Sequence, residues 1–583
     1  MENSEAPETR GSGSVEITTV STEQRTSRGG WNAAIFVIFV EMAERFAFYG
    51  VAGNLISYLI KELHQPTSTA VQNVNTWVGV STIFPLLGAF IADSFVGRFK
   101  TIVVSCVIFL LGTVLLTLSV SVIPSHSRKA MFFLSLYIIS VGEGGHRPCV
   151  QTFAADQFDE DSPEKRKEKS SFFNWWYLAV VAAATAATLL VIYLQDNIGW
   201  IWGFGVVAAV LAVALAIFFL GIRKYRKEGP VGSPLTRVAQ VFVAAARKWR
   251  VDETRNENDE VYHGDKPCGA GEDGQPTARN LVRTNHFRCL DKAMIIDNPI
   301  TSSSETKNPW RLCSQNQVEE AKLVLSLIPI WFSCIIFNVV QAQLHTFFTK
   351  QGSTMIRSIG PHFQVPPASL QAFTGFTIFF LVPIYDRVFV PTARKYTGQR
   401  SGITVLQRIG VGLFLSILTM VAAALVEAKR VRTAREHNLM DDPKAIVPMS
   451  IWWLLPQYII CGFSDAFAVI GLQELFYDHM PEPMRSLGAA AYLILIGIGS
   501  FVANAIISIV EKISSRSGEK WLVNNLNRAH LDDFYWVLAG LSALSLVFFV
   551  WIALRFDYKE FEGDRVTTGE IHLRSGGHSA EEV

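Results

Sequence analysis

Three charged residues near the beginning of the chain stand inside an apolar stretch. In EMAERFAFYG, Glu41, Glu44 and Arg45 occupy positions i, i+3 and i+4, and the surrounding residues 33–60 are otherwise mostly apolar. On a helix this spacing brings the three side chains onto one face, within reach of one another. Carboxylates at membrane depth commonly mark proton or ion pathways, so the spacing predicts a proton-handling site. A purely structural charge cluster is the alternative interpretation.

A second set of charges is divided between the two halves of the chain. LYIISVGEGGHRPCVQTFAADQFD contains Glu143, His146 and Arg147, whereas Asp465 lies in LLPQYIICGFSDAFAVIGLQELFYDH. One basic residue in the first half and one acidic residue in the second predict an Arg147–Asp465 salt bridge across a central cavity, formed in one conformation and broken in another. Because arginine does not deprotonate in proteins, proton sensing would fall to Asp465 or to the first-span carboxylates. An arginine snorkelling to the interface is the alternative.

These charges must be positioned by membrane-spanning helices. The chain has 583 residues, of which 50% are hydrophobic and 18% are charged, and its mean hydropathy is +0.26. A spanning helix needs about 20 mostly apolar residues, and about a dozen such runs occur. They lie at approximately 33–60, 76–92, 101–123, 131–150, 176–194, 200–221, 323–346, 370–390, 403–426, 449–476, 487–510 and 534–554.

The runs are arranged as six, then a polar segment, then six more. Two such halves are typical of secondary transporters, which bind their substrate between the halves near the middle of the bilayer. A weak internal repeat supports a duplication, because GAFIADSFVGRFKT and PIYDRVFVPTARK each place an aspartate (Asp93, Asp386) before a basic cluster. We therefore expect a disordered cytosolic leader at 1–30, a six-helix bundle at 31–222, a cytosolic central loop with an amphipathic helix at 223–320, a second six-helix bundle at 321–555 and a cytosolic tail at 556–583.

Composition excludes several classes of function. The formal net charge is only +1, which argues against a nucleic-acid partner. The seven cysteines lack metal-type spacing, so neither a disulfide framework nor a zinc site is expected. No His/Cys/Asp metal set and no Ser/His/Asp arrangement stands at facing positions, which argues against an enzyme. We expect no metal and no cofactor, only coupled protons.

Loop charges predict the orientation. An even number of spans places both termini on one side, and the polar first 30 residues lack the order of a signal peptide, which favours the cytosol. The basic loop PEKRKEKS would then be cytosolic, as the positive-inside tendency expects. The loop EAKRVRTAREHNLMDD disagrees, because it should lie outside and yet carries Lys429, Arg430, Arg432 and Arg435.

The central loop contains one amphipathic stretch, PLTRVAQVFVAAARKWR. A helix with this pattern suits a position on the inner membrane surface. A linker helix that tethers the two halves is the alternative. Its apolar face would consist of Val238, Val241, Phe242, Ala245 and Trp249.

Together these stretches resemble the plant nitrate transporter 1/peptide transporter family, within the proton-dependent oligopeptide transporters of the major facilitator superfamily. EMAERFAFYG is similar to the E-x-x-E-R-F-x-Y-Y-G signature of that family, and GGHRPCVQTFAADQFD and KSSFFNWWYLAV are similar to its signatures around spans four and five. The resemblance covers most of residues 31–555, and GGHRPC and GLQELFYD are most similar to the fifth plant subfamily. Further matching stretches are FRCLDKAMI, WRLCSQNQVEEAKLVLSLIPIW, RSIGPHFQVPPASL and WLVNNLNRAHLDDFYWVLAGLS.

The resemblance implies an all-α membrane protein with the major facilitator fold, in which twelve transmembrane helices form two six-helix bundles. It also implies proton-coupled symport by alternating access, with Glu41 and Glu44 coupling protons beside Arg45. The span-four basic residue of the family, often Lys, falls on Arg147, and its span-ten acid, often Glu, falls on Asp465. Both differences keep the sign of the charge and change the length of the side chain.

The transported solute stays open. The span-seven histidine credited with nitrate binding in one member of the family is absent, and FNVVQAQLH offers Asn338 and Gln341 thereabouts. The acidic residue that bacterial peptide transporters use in this span is missing too. We expect a small solute such as nitrate, a di- or tripeptide, a hormone or another plant metabolite, carried across the plasma or vacuolar membrane by a chain for which a monomer suffices. A transport-inactive sensor or scaffold of the same fold is the alternative.

Several further residues complete the predicted site. Thr101 follows GRFK, where a basic-directed kinase could act and where a member of the family is regulated by phosphorylation; an unmodified helix-cap threonine is the alternative. Other polar and aromatic residues are predicted to line the cavity, although aromatic residues in spans also serve as packing residues and interface anchors. These cavity candidates are Tyr49, His146, Trp176, Tyr177, Asn338 and Gln341.

Overall fold

The structure is a computed structural model. The expected cytosolic tail after residue 556, nearly all of the expected leader and much of the central loop lie outside the described residues. Helices account for most of what is described. The described residues are 29–158, 163–227, 229, 232–250, 284, 286–295, 308–361, 363–397, 403–478, 485–516, 518 and 520–556.

Twelve helical segments of the described chain correspond to the twelve apolar runs. Nine are long and apolar enough to cross a membrane, and a tenth is formed by α9 and α10, which meet at a bend of 46°. The other two, α1 and α5, have 22 and 31 residues and carry Glu41, Glu44, Arg45, Glu143 and Arg147. In chain order the helices are α1 Trp31–Ala52, α2 Leu55–Lys61, α3 Thr67–Ile91, α4 Arg98–Ser121, α5 Ser125–Ala155, α6 Pro163–Tyr193, α7 Trp200–Leu220, α8 Pro234–Arg247, α9 Gln315–Ser333, α10 Ile335–Gln341, α11 Phe347–Ser353, α12 Ala372–Ile384, α13 Val390–Thr397, α14 Val405–Glu436, α15 Leu455–Asp478, α16 Arg485–Arg516 and α17 Leu531–Ala553.

The same helix pairings recur in both halves. In the first half α1 packs against α6 and α7, α4 packs against α5 and α7, and α3 packs against α5. In the second half α10 packs against α16 and α17, α14 packs against α15 and α17, and α12 packs against α15. The two halves are therefore six-helix bundles built on one plan, as two-half transporters are.

The weak sequence repeat corresponds to a repeated piece of backbone. After α3, residues Ala92–Val96 form a π-helical turn, and after α12, residues Tyr385–Phe389 form another. Each turn contains the aspartate that the sequence comparison aligned, Asp93 or Asp386. Since π turns are rare and local, their occurrence at equivalent places supports the duplication.

Short strands and caps complete the described chain outside the spans. β1 (Met355–Ile356) pairs in parallel with β4 (Val447–Ser450), with Met355 opposite Val447 and Ile356 opposite Ser450. β2 (Ser358–Ile359) pairs antiparallel with β3 (Phe363–Gln364). Two helices begin with capping boxes, in which the side chains of Ser314 and Gln317 close α9 and those of Thr404 and Gln407 close α14. Each box satisfies backbone N–H groups that a helix start leaves open.

Glycine lets α3 and α5 approach closely beside the charged residues. A Cβ atom added to Gly88 would lie 2.1 Å from the carbonyl oxygen of Gly144. A side chain at Gly142 would meet the backbone of Phe109 on α4, 2.6 Å from its nitrogen. Small residues at such crossings are how membrane helices pack backbone to backbone. This packing determines the position of α5, which carries Arg147.

The amphipathic helix of the central segment packs on protein. Val241, Ala244 and Ala245 of α8 are buried against a short 3₁₀ helix, Arg288–Met294, and against the first turns of α9. Phe242 and Trp249, expected on the same face, remain exposed. The packing agrees with a helix that tethers the halves, and only part of the predicted face is left to contact lipid.

One of the four charges that disagree with the predicted orientation is neutralised inside the protein. α14 extends to Glu436, so much of the supposed basic loop is helix. Arg430 is fully buried, and its Nη2 and Nε atoms bond the carboxylate of Glu427 at 2.6 and 2.9 Å. A buried, neutralised arginine is not a loop charge in the sense of the positive-inside tendency. Lys429 lies over the ring of Trp453, at 3.2 Å from its centroid.

Candidate functional site

A cavity of about 1620 Å³ lies between the two bundles. It opens on the face that carries the Ala92–Val96 turn, the end of α5 and the start of α8, because residues of all three line it. At this mouth Arg98 bridges Asp93 (3.3 Å) and Asp156 (2.6 Å). Polar and aromatic residues from both halves line the interior, including Glu41, Arg45, Tyr49, Asn75, Arg147, Trp176, Tyr177, Asn338, Gln341, His345, Gln371, Asp465 and Tyr492.

Hydrogen bonds between the bundles close the other end of the cavity. On α16, the Asn504 side chain accepts a bond from Asn75 Nδ2 at 3.0 Å and donates to the Gln72 carbonyl and to Thr76 Oγ1, both at 3.0 Å. Gln371, just before α12, donates to the Gly53 carbonyl at the end of α1 at 3.0 Å. The molecule is thus open on one face and closed on the opposite one, as a single state of an alternating-access cycle would be.

The charged face of α1 forms as its spacing predicts. Arg45 Nε lies 2.9 Å from Glu41 Oε1 and 3.3 Å from Glu44 Oε2, so one guanidinium serves both carboxylates. The side chain of Arg45 is 22% exposed and faces the cavity, whereas that of Glu44 is completely buried. The face therefore runs from the wet cavity into the dry interior of the first bundle.

A second guanidinium, from α5, joins this face. Arg147 Nε bonds Glu44 Oε1 at 3.0 Å, and Arg147 Nη2 is ion-paired with Glu143 one turn earlier on α5. The guanidinium also lies 4.3 Å from the ring centroid of Phe48 on α1, a cation–π arrangement. Three carboxylates and two guanidiniums therefore form one cluster, which we call the carboxylate cluster: Glu41, Glu44, Glu143, Arg45 and Arg147.

The expected Arg147–Asp465 pair is not formed in this conformation. The guanidinium of Arg147 is held within its own bundle by Glu44 and Glu143. Across the cavity on α15, Asp465 has no salt-bridge or hydrogen-bond partner among the described residues, and its Oδ1 is buried. The pair stays a prediction for another conformation, since here two nearer carboxylates compete for the same arginine.

The remaining cavity candidates divide into two groups. Five of the six line the cavity: Tyr49, Trp176, Tyr177, Asn338 and Gln341. His146 does not line it.

His146 lies buried beside the cluster, and neither ring nitrogen has a hydrogen-bond partner among the described residues. Its ligand atom lies within 4.8 Å of those of Glu41 and Glu44, a geometry in which a metal ion could be held. Both carboxylates already pair with guanidiniums, whose positive charge opposes a cation, and we assign no metal there.

Thr101 is placed like an ordinary helix residue. Its side chain is 7% exposed, and its hydroxyl donates to the Gly97 carbonyl at 3.0 Å. A kinase could not reach this hydroxyl without local opening of the start of α4. The geometry agrees with the alternative of an unmodified threonine, and phosphorylation stays a prediction.

Two residues of the site were not predicted to act there, although Glu143 was named among the charges of its span. Glu143 partners Arg147 at i and i+4, a spacing that could have been noticed because the same rule was applied to α1. His345 Nδ1 lies 2.8 Å from Gln371 Oε1, which places a histidine in the network that closes the cavity. No local pattern signals this second contact, because Gln371 is 26 residues away in the chain.

Comparison with known proteins agrees with the sequence resemblance. Residues 99–523 match the model of the POT family. The chain is 54% identical over 538 residues to protein NRT1/PTR FAMILY 5.4 of Arabidopsis thaliana, covering 92% of this chain and 97% of that protein. It is 45% identical over 556 residues to protein NRT1/PTR FAMILY 5.10 of the same plant, covering 92% and 95%.

Solved structures of similar shape are transporters. An auto-inhibited POT family peptide transporter superimposes with a TM-score of 0.66 at 19% identity, covering 91% of this chain and 98% of that one. A POT family transporter in complex with 5-aminolevulinic acid gives 0.62 at 14% identity, covering 91% and 99%. At such identities the likeness concerns the fold alone, and it confirms the major facilitator arrangement of two six-helix bundles.

Proposed function

Since this chain belongs to the POT family of membrane transporters, in its plant nitrate and peptide branch, we propose that it is a proton-coupled symporter that moves a small solute by alternating access. The family consists of transporters, not enzymes. The observation that carries the proposal is the carboxylate cluster at the wall of a cavity between two bundles. A charge at the centre of a spanning helix costs about 2.5–3.5 kcal/mol on insertion scales, so a chain without a use for such residues has no physical reason to keep five.

Protons enter the cycle at the carboxylates of α1. Glu41 lines the cavity, whereas Glu44 lies behind it and holds Arg147. Protonation of Glu44 would weaken its ion pair with Arg147, because a neutral carboxyl attracts a guanidinium far less than a carboxylate does. The released Arg147 would be free to pair with Asp465, which would draw the two bundles together from the cavity side. Glu41, Glu44 and Arg45 thus bind the coupled proton. The change of partner of Arg147, from Glu44 to Asp465, transmits the effect of that proton to the second bundle.

The described charges of the cavity favour one chemistry of solute. Each arginine of the cavity wall has a carboxylate near it: Arg45 with Glu41, Arg98 with Asp156, Arg147 with Glu44, and Arg237 at 3.8 Å from Glu320. Asp465 has no such partner among the described residues. We therefore propose that the solute carries a hydrogen-bond donor or a cationic group, as a peptide or an amine-bearing metabolite does, and that it is not a bare anion such as nitrate.

Orientation follows from loop charge. We propose that both termini and α8 face the cytosol, in the plasma or the vacuolar membrane, so that the open mouth of the cavity is cytosolic. Neutralisation of Arg430 by Glu427 supports this orientation by removing one residue from the count of opposing loop charges. Residues 31–222 and 321–555 would be the two moving bundles, and 223–320 would connect them.

The proposal is tested by solute uptake in oocytes that express the full chain. Nitrate, dipeptides, amine-bearing metabolites and hormones are offered at acidic and at neutral external pH under voltage clamp. We expect at least one donor-bearing solute to enter faster at acidic pH, and the variants Glu41→Gln and Glu44→Gln to lose this dependence. Glu62→Gln, the same change at an exposed position, is the matched control and should keep it.

Three outcomes would count against the proposal. Full proton coupling in both cluster variants would remove the assigned role of α1. Uptake of nitrate alone would refute the proposed solute class. No uptake of any solute by protein present at the surface would favour the transport-inactive sensor or scaffold.

A further inference from the structure

The carboxylate cluster holds more negative than positive groups. Its three carboxylates face two guanidiniums, so the cluster carries one excess negative charge if every carboxyl is ionised. The inner members are dry: the side chains of Glu44 and Glu143 are 0% exposed and that of Arg147 is 4% exposed. An uncompensated charge in such surroundings is strongly unfavourable, and a buried carboxyl takes up a proton instead.

Glu143 is the member that creates the excess. Without it, Glu41 and Glu44 would balance Arg45 and Arg147 one to one. Glu143 does not line the cavity, and Arg147, which pairs with it, does. Arg147 therefore connects Glu143 to the cavity wall.

No other nearby group supplies the missing positive charge among the described residues. α3 packs against α5 and contains no charged or titratable residue. α4 contributes the neutral thiol of Cys106, and α16 contributes the phenol of Tyr492. His146 lies on α5 itself, with both ring nitrogens unbonded, and a neutral imidazole does not change the count.

We propose that Glu143 is a further proton-binding residue, and that the carboxylate cluster in this conformation holds one proton, bound to Glu143 beside Arg147. The inference deepens the proposed function, on which its meaning for transport rests. When Arg147 leaves to pair with Asp465, three carboxylates face Arg45 alone, and neutrality then requires two protons. Movement of one guanidinium thus changes the proton content of the cluster by one, with the proton taken from the cavity and bound to a carboxylate oxygen.

Infrared spectroscopy of the full chain in liposomes tests the count. A protonated carboxyl in apolar surroundings has a C=O stretching band of its own, separate from the bands of carboxylates, and the amplitude reports how many such groups are present. Relative to the wild type, we expect Glu143→Gln to lose the equivalent of one carboxyl, because two carboxylates then balance two guanidiniums. We expect Arg147→Met to gain one, and the double variant to equal the wild type. Glu62→Gln should change nothing.

A wild-type measurement keeps the test decisive if a variant fails to fold. Protein made with ¹³C-carboxyl glutamate shifts the bands of protonated glutamic acid and leaves those of aspartic acid, including Asp465, in place. We expect a shifted band equivalent to one carboxyl. Absence of that band, or an unchanged amplitude in folded Glu143→Gln, would overturn the proposal. The readout needs no transported solute, so a chain that moved none of the solutes would refute the proposed function and leave this result standing.

Discussion

Arg430 offers a sharp test of how the second bundle is held together. Its side chain is completely buried and makes bonds to Glu427, to Asn527 Oδ1 at 2.7 Å and to the Leu526 carbonyl at 2.9 Å. Glu427 is buried as well and accepts a further bond from Gln351 Nε2 at 2.7 Å. Replacing Arg430 by Met removes the only guanidinium bonded to Glu427 among the described residues and leaves a carboxylate without its counter-ion.

The expected magnitude follows from this geometry. Breaking a buried ion pair by deleting one partner costs about 3–5 kcal/mol, whereas replacing both partners by neutral residues of similar size is often close to neutral. Arg430→Met should therefore destabilise by about 3–5 kcal/mol, and the double variant Glu427→Gln plus Arg430→Met should recover most of that loss. The double-mutant cycle should give a coupling on the order of 3 kcal/mol between the two side chains.

Equilibrium unfolding in mixed detergent, monitored by tryptophan fluorescence, measures these differences. Arg435→Met, an arginine on the exposed side of the same helix, is the matched control and should change the free energy of unfolding by less than about 0.5 kcal/mol. Equal losses in the single and the double variant would refute the reasoning, because the cost would then come from lost packing and not from an unpaired charge.

Two further predictions concern helix contacts. Gly88→Ala should destabilise the purified protein by about 1–3 kcal/mol through overpacking, because the added Cβ would lie 2.1 Å from the Gly144 carbonyl oxygen. The thermal midpoint of unfolding should therefore fall, and an unchanged midpoint would contradict so close a contact. Asn504→Ala removes the bonds to Asn75 and Thr76 that join the bundles, and should shift spin-label distances across the closed face toward those of the open state. Asn197→Ala loses only a bond within its own turn and should leave these distances unchanged. Equal distances in both variants would show that the Asn504 contact does not hold the face closed.

The sequence-based predictions succeeded where the cause is local. Glu41 and Arg45 meet because any helix places residues four apart side by side. The twelve spans follow from the length of apolar segment that a bilayer requires, and even the two that carry charges formed as helices. The repeat around Asp93 and Asp386 was visible because a duplicated backbone turn leaves a duplicated sequence pattern.

Predictions failed or stayed open where an arginine has more than one possible environment or counter-ion. Arg147 was assigned to Asp465 across the cavity, and in this conformation it lies with Glu44 and Glu143. Arg430 was counted as a loop charge, although α14 extends through it and Glu427 neutralises it. Glu143 and Glu427 lie four and three residues from their arginines, within reach on one helix. Only the contact of Arg147 with Glu44, 103 residues away, depends on a distance that residue spacing does not contain.

The sequence by itself determined the class of molecule, the number and places of its spans, and the charged face of α1, since these depend on hydrophobic length and helical periodicity. Only the tertiary structure decided that Glu44 holds Arg147, that Asp465 has no salt-bridge or hydrogen-bond partner in the described chain, and which face of the cavity is open. The physical reason is that ion pairing in a dry interior is settled by differences of a few ångströms between competing partners. Such differences arise only when helices from distant parts of the chain pack together.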